Sequence, residues 1–367
     1  MGVFSSVSWS QSSPLLPVIN CAIFHPIHHE HPGRMHMPKT KIALIGCGGM
    51  GQSHLRRFHV LSPRLQLKAA VDVNLKNAQV IVSNFPSIVA TDDYRAVLDL
   101  VDAVLIALPH HLHHRVAMDC IEAGKHVLLE KPMANTETEC IDLIDAAQRQ
   151  SITLMIAYCM RYHPLITQLK KALDARLAGD LFQLSIWTEQ HTERLPDSWM
   201  CRAETLGGGQ LFSHGCHYID LLLWFLGQPL RGMHMGTNRG TPWMEREGTS
   251  NVCLEFPQGR LGYHFGTWGA RGSRLRYTLH AHCDEGLLEA DISGKQLILH
   301  RGNERQILYQ LAHSGKHTEN EMSHFLDCVE KGEKPLTGGP SALQSLRAIW
   351  RLYEAEENAA WADLCDI

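Results

Sequence analysis

Residues 46–51, Gly-Cys-Gly-Gly-Met-Gly, constrain the fold of this chain more than any other stretch. They follow a short apolar run, Lys41 to Ile45, and precede a helical pattern over 52–61. An apolar run that ends in glycine reads as a buried parallel strand. Each glycine then has its own task. Gly46 permits the tight turn out of the strand, Gly48 lets the backbone approach a pyrophosphate, and Gly51 lets the helix pack closely on the strand. Gly49 and Met50 lie in the same turn. The helix amino end offers free amides and the positive end of its dipole to phosphates. The glycine spacing alone is weak evidence. Here Asp72 stands 21 residues after Gly51, near the end of a second strand over 67–73. Strand, glycine loop, helix and acid together form the signature of a dinucleotide site.

Asp72 suits the hydroxyls of an adenosine ribose and would repel a 2′-phosphate, so NAD is favoured over NADP. Lys76 lies close enough to soften that preference, and the competing reading makes Asp72 a turn residue before Asn74.

Further strands fall at 101–108, 126–129 and 153–158, with amphipathic helices at 114–123 and 136–149. This alternation predicts a parallel, doubly wound sheet with right-handed crossovers. A chain of 367 residues exceeds what one core usually holds. Beyond about 163 the pattern changes to a helix over 164–177 and runs of strand at 181–189, 250–256, 260–268, 275–283, 286–292 and 296–300. Polar and glycine-containing turns such as 257–259 separate them. Helices at 318–330 and 340–358 close the chain against that sheet or the first domain. The expected class is α/β: a Rossmann dinucleotide-binding domain over 39–160, then an α+β domain with a large, mostly antiparallel sheet over 161–367.

Composition removes several other classes. Hydrophobic residues make up 44% and charged residues 20%, and the net charge is −4, so neither disorder nor a basic nucleic-acid-binding face is called for. The eleven cysteines show no CxxC pair, as expected of free thiols in a reducing cytoplasm. The longest strongly apolar stretch, Ile219 to Leu226, is too short to span a bilayer. Residues 1–38 differ from the rest and read as a disordered or non-native extension. They carry a histidine run (His25, His28, His29, His31, His36), which could bind a metal, and Met1 to Ser6 fits a loose myristoylation pattern.

Two later motifs carry a resemblance. Residues 123–132 read Ala-Gly-Lys-His-Val-Leu-Leu-Glu-Lys-Pro at the fifth strand, and residues 207–220 read Gly-Gly-Gly-Gln-Leu-Phe-Ser-His-Gly-Cys-His-Tyr-Ile-Asp at a helix start. With the glycine loop they resemble the glucose-fructose oxidoreductase / inositol dehydrogenase / rhizopine catabolism (Gfo/Idh/MocA) family, over about residues 39–355. The resemblance implies that Lys131 sits where the nicotinamide meets the substrate, with Glu130 beside the cofactor, and that His217 is the acid/base residue. The residue types suit those tasks. A lysine at the carboxyl end of a parallel strand can hydrogen-bond a hydroxyl and favour its alkoxide-like form. An imidazole that titrates near neutrality can take the hydroxyl proton. The blander alternatives are a surface lysine and a packing histidine.

On a helix predicted over 209–226, positions 213, 217 and 220 share one face, so Ser213 and Asp220 are expected beside His217 in the cleft. Many family members carry aspartate where this chain has Ser213, so the usual lysine, aspartate and histidine set is incomplete, and His214 adds an imidazole next door. Pro109 to His114 follows the fourth strand, and Pro109 and His113 are expected against the cofactor. Four histidines in five residues there invite a metal reading, which neighbouring positions disfavour because they cannot all face one ion. Arg161 would touch substrate or seal the domain contact. Trp199 and Arg202 would form a sugar-facing wall. The resemblance thus implies an NAD-dependent dehydrogenase of a sugar, cyclic polyol or sugar derivative, assembled as a homodimer or homotetramer through its second sheet. Two alternatives stand beside it: redox-assisted glycoside cleavage, and a dinucleotide-binding regulator that has lost catalysis.

Overall fold

The computed structural model describes residues 38–367 apart from Asn84 and Pro86. The histidine run and the Met1 to Ser6 pattern lie outside the described residues.

Six parallel strands form the first sheet: β1 (Thr40–Ile45), β2 (Leu65–Val71), β3 (Val89–Thr91), β4 (Ala103–Ile106), β5 (His126–Leu129) and β6 (Leu154–Ile156), in the order β3-β2-β1-β4-β5-β6. Strand residues alternate between two apolar layers, as the strand period of two requires. Ile42 and Leu44 pack with helix α1 (Gly49–Phe58) and helix α2 (Leu75–Val82), while Ala43 and Ile45 pack with helix α3 (His113–Glu122) and helix α4 (Glu137–Arg149). Burial on both faces explains why these strands read as continuous apolar runs. β1 pairs with both β2 and β4. The chain order therefore reverses at β1, and open α/β sheets bind ligands at the carboxyl ends of strands at such a point. The glycine loop leaves β1 there.

Helix α5 (Pro164–Asp174) leads into a nine-stranded sheet. Its strands are β7 (Leu181–Glu189), β8 (Arg231–Thr237), β9 (Thr249–Phe256), β10 (Arg260–Thr267), β11 (Tyr277–Cys283), β12 (Gly286–Asp291), β13 (Gln296–Arg301), β14 (Glu304–Gln310) and β15 (Ala362–Asp363). The order is β14-β13-β12-β11-β7-β10-β9-β8-β15, antiparallel except where β7 runs parallel to β10. The second sheet matches the mostly antiparallel expectation, and three of its strands, β8, β14 and β15, carry no strong sequence signal. β8 contains Gly232 and Gly236, and β14 is polar and largely exposed at the sheet edge.

Between β7 and β8 lie a short helix, α6 (Ala203–Leu206), and helix α7 (Cys216–Leu226), which covers the inner face of the sheet. The last two helices divide. Helix α8 (Thr318–Lys331) returns to the first sheet: Met322, Phe325 and Leu326 join the layer of Ile42 and Leu44. Arg57 on α1 holds Glu319 at 3.1 Å, and Arg64 holds Glu330 at 2.8 Å. Helix α9 (Gly339–Glu357) packs between α4 and α7. The ten cysteines among the described residues are unpaired.

Candidate active site

The glycines of the first loop meet three different demands. Gly46 has φ +96°, and a Cβ there would lie 2.2 Å from the Ala107 carbonyl oxygen. A Cβ on Gly51 would lie 2.1 Å from the Gly46 carbonyl oxygen, so α1 could not approach β1. At Gly48 and Gly49 a Cβ would meet nothing within 4 Å. These two residues face open space at the amino end of α1, which has no side-chain cap. Free helix amides beside an open, side-chain-free cradle suit a pyrophosphate. Asp72, just past β2, accepts from the Cys47 N–H at 2.9 Å, the Asn74 N–H at 2.9 Å and the Asn77 amide at 3.2 Å. Both readings of Asp72 meet here, since it caps the turn before Asn74 and also lines the cleft beside the loop.

The cleft encloses ≈570 Å³. Gly46, Gly48, Gly49, Met50 and Asp72 line one end, and Pro109, Glu130, Lys131, Trp199 and Ser213 line the remainder. Lys131 follows β5 and its peptide bond to Pro132 is cis. Its ammonium donates to the Ser213 carbonyl oxygen at 2.8 Å. Glu130 is buried and accepts from His54 of α1 at 2.8 Å and from the Lys131 N–H at 3.3 Å. Burial alone would push the Glu130 carboxyl up. The hydrogen bond and electrostatic pull of His54, with Lys131 and Lys316 nearby, outweigh burial and hold it at about 2. One buried pair therefore joins the helix of the glycine loop to the strand end that carries Lys131.

The glycine triplet 207–209 opens the other wall. A Cβ on Gly209 would lie 2.0 Å from the Glu247 carboxylate. That carboxylate accepts from the Leu211 N–H at 3.2 Å and from the Tyr353 hydroxyl at 2.7 Å. The Tyr353 oxygen accepts from the Gly209 and Phe212 N–H groups at 3.1 and 3.2 Å. Three orphan amides at a helix start are thereby satisfied. The segment then makes a π-helical turn, Leu211–Gly215, before α7 begins. π-turns inside helices occur often at functional sites.

Several expectations require correction. Asp220 does not enter the cleft: it is buried and grips Arg161 with both oxygens, at 2.7 and 2.6 Å. Arg161 also donates to the Leu336 carbonyl at 3.1 Å, so it seals a packing contact instead of lining the cleft. His113 is fully buried, with its ring nitrogens 2.7 Å from the Pro132 oxygen and 2.9 Å from the Leu108 oxygen. It ties two strand-end loops together, and the cleft-lining histidine of that run is His110. Arg202 is exposed and outside the lining. Gly51 packs α1 on β1 as expected and does not itself line the cleft.

His217 is not among the cleft-lining residues: it is buried at 5% exposure, with Nδ1 enclosed and unpartnered. Of the two histidines on this wall, His214 is the one in the lining. Burial pushes the pKa of both well below the ordinary value, and the charge of Lys131 pushes the same way. Both rings are therefore neutral near pH 7 and able to accept a proton. Sequence reading also missed Gln190, Thr192, Arg194 and Trp268, supplied by the ends of β7 and β10, and Lys316, which precedes α8. Only the tertiary fold brings those segments to the cleft. His110 holds the Leu206 carbonyl at 2.8 Å and meets the Trp199 ring edge-on at 4.7 Å.

Residues 40–158 match the oxidoreductase family with an NAD-binding Rossmann fold, and residues 166–289 match the GFO/IDH/MocA C-terminal domain. The chain belongs to the Gfo/Idh/MocA oxidoreductase family. Levoglucosan dehydrogenase of Pseudarthrobacter phenanthrenivorans is 29% identical over 286 residues, which cover 68% of this chain and 73% of that protein. Inositol 2-dehydrogenase 2 of Saccharopolyspora erythraea is 29% identical over 227 residues, covering 60% of this chain and 64% of that one. Among solved structures, aldose-aldose oxidoreductase from Caulobacter crescentus superposes with a TM-score of 0.80 at 22% identity, over 89% of this chain and all (100%) of that one. That likeness concerns the fold. No helix among the described residues is long and apolar enough to cross a membrane.

Proposed function

We propose that this family member is an NAD-dependent dehydrogenase of a sugar, cyclic polyol or sugar derivative, with Lys131 and His217 at the reacting centre. Residues 39–160 serve the dinucleotide and residues 161–367 the substrate and assembly. The observation that carries the reading is one cleft holding the open glycine cradle, Asp72 and the Lys131 ammonium together. The named substrates of the relatives, levoglucosan and inositol, are polyhydroxylated rings and point to the same chemical class.

When bound, the nicotinamide supplies the acceptor or donor of a hydride at a carbinol carbon. The chain supplies the rest. Lys131 spends one ammonium N–H on the Ser213 carbonyl, which fixes the nitrogen and leaves two donors for a substrate hydroxyl. A neutral imidazole takes the hydroxyl proton, so negative charge grows on that oxygen and drives the hydride out. The ammonium stabilises this alkoxide-like oxygen. His217 holds the imidazole's role by family position and His214 by its place in the lining. His217→Asn lowering kcat at least a hundredfold, with His214→Asn costing less than tenfold, supports His217, and the reverse pattern moves the role to His214. Trp199 and Trp268 bring indole rings to the cleft lining, a residue type suited to contact with a sugar ring.

Ser213 supports a second reading, because its side chain brings no carboxylate to Lys131, which meets only the residue's backbone carbonyl. In that reading a transient oxidation assists glycoside cleavage. Product analysis separates the two: net NADH formation supports the dehydrogenase, and cleavage of a glycoside without net NADH supports the alternative. For assembly, we propose the outward face of the nine-stranded sheet, where strand register places Trp187, Met235, Cys253, Leu261 and Tyr263 on one side. Sedimentation of the purified chain tests this: a monomer would contradict it.

A further inference from the structure

Lys316 reaches the cleft from a segment far along the chain. Its ammonium lies 3.2 Å from the Met50 sulfur, at the amino end of α1. A thioether is a weak acceptor. Among the described residues no carboxylate pairs with this ammonium. The two acids of the cleft are already engaged: Asp72 accepts from the Cys47, Asn74 and Asn77 groups, and Glu130 from His54 and the Lys131 N–H.

The approach of Lys316 to α1 is built into the chain on both sides. Gly315 has φ +150°, and a Cβ there would lie 2.6 Å from the Arg57 guanidinium on α1. His317 adopts the left-handed region at φ +52°, which a non-glycine residue enters only where its surroundings hold it. Glu319 provides that hold, meeting both His317 at 3.2 Å and Arg57 at 3.1 Å. The result is a cation at the amino end of α1, lining the same cleft as Gly48 and Gly49, whose would-be Cβ atoms face open space.

We propose that Lys316 is a second anchor for the pyrophosphate of the dinucleotide, opposite the amino end of α1; this rests on the reading of the cleft as an NAD site. The pyrophosphate carries two negative charges, and α1 offers only partial positive charge. An ammonium from the α8 side adds a full positive charge to that partial one and ties that segment to α1 whenever the cofactor is present.

The test is a fluorescence titration of the full chain with NADH, and competition titrations with ADP-ribose and adenosine, for wild type, Lys316→Met and Lys316→Arg. A charge-assisted hydrogen bond sets the expected size. Lys316→Met should raise the Kd for NADH and ADP-ribose about tenfold and leave adenosine within about twofold, and Lys316→Arg should restore NADH to within about threefold. The assignment is overturned if Lys316→Met binds NADH within twofold of wild type, or if adenosine weakens as much as ADP-ribose. Wild-type protein that binds neither NADH nor ADP-ribose overturns the NAD reading beneath it, an outcome distinct from a charge-insensitive Kd.

Discussion

Replacing His54 by leucine removes the partner of a buried carboxylate while keeping nearly the same volume. Glu130 is 6% exposed and His54 1%, so water cannot replace the lost hydrogen bond. The carboxyl sits at about 2 against an ordinary 4.5. That depression corresponds to about 3 kcal/mol of folding stability at pH 7. The sign follows from linkage: with the folded value below the unfolded one, the contribution is complete above pH 4.5 and fades as pH falls toward 2. His54 supplies the largest part of that pull and Lys131 and Lys316 the rest, so His54→Leu should cost up to about 3 kcal/mol at pH 7, within the range for breaking one side of a buried pair. It should also flatten the loss of stability between pH 4.5 and 2. Urea denaturation at a series of pH values measures both. The double variant His54→Leu with Glu130→Leu should regain much of the loss, because no unpaired charge remains. A cost under about 1 kcal/mol, or an unchanged acid slope, would refute the view that His54 holds Glu130 ionised.

Tyr353→Phe leaves the Gly209 and Phe212 amides without their acceptor. It should cost about 2–4 kcal/mol in a denaturation experiment and lower kcat by loosening the segment that carries Ser213, His214 and His217. Asp72→Ser removes the carboxylate that disfavours a 2′-phosphate and should shift the NAD/NADP ratio of kcat/KM toward NADP by at least tenfold; an unchanged ratio would leave Asp72 a turn residue only. Glu321 on α8 is buried with neither carboxyl oxygen partnered, and burial, then the nearby Glu130, pushes its pKa well above 4.5. A raised folded value costs stability as pH climbs from 4.5. Glu321→Gln should therefore match wild type near pH 4.5 and gain on it steadily as pH rises toward 8, whereas parallel pH profiles would count against it.

The sequence made the first sheet and the dinucleotide cradle legible because backbone demands leave direct marks. Only glycine fits positions 46 and 51, and only apolar residues fit strands covered on both faces. The wall across the cleft was harder to read. Helical spacing says that Ser213, His217 and Asp220 share a face, but not which part of it meets the cleft, and the π-turn at Leu211–Gly215 alters the phase. Asp220 went to Arg161, 59 positions earlier in the chain, a pairing no local pattern announces. In the histidine run a 3-10 turn begins at His110, so His110 meets the cleft while His113 turns inward between two carbonyls. Gln190, Thr192, Arg194, Trp268 and Lys316 arrive from strand and helix ends that only the tertiary fold brings together.

The most direct test of the central proposal is NADH formation followed by absorbance, with NAD and a panel of sugars, cyclic polyols and glycosides, for wild type and Lys131→Met. Lys131→Met removes the ammonium proposed to face the reacting oxygen and keeps most of the side chain's length. Wild type should form NADH with at least one polyhydroxylated ring, and Lys131→Met should lower kcat on it by about 10²–10³ while NADH binding holds. Turnover that survives the substitution unchanged, with every substrate wild type accepts, would contradict the assignment of Lys131 to the chemistry.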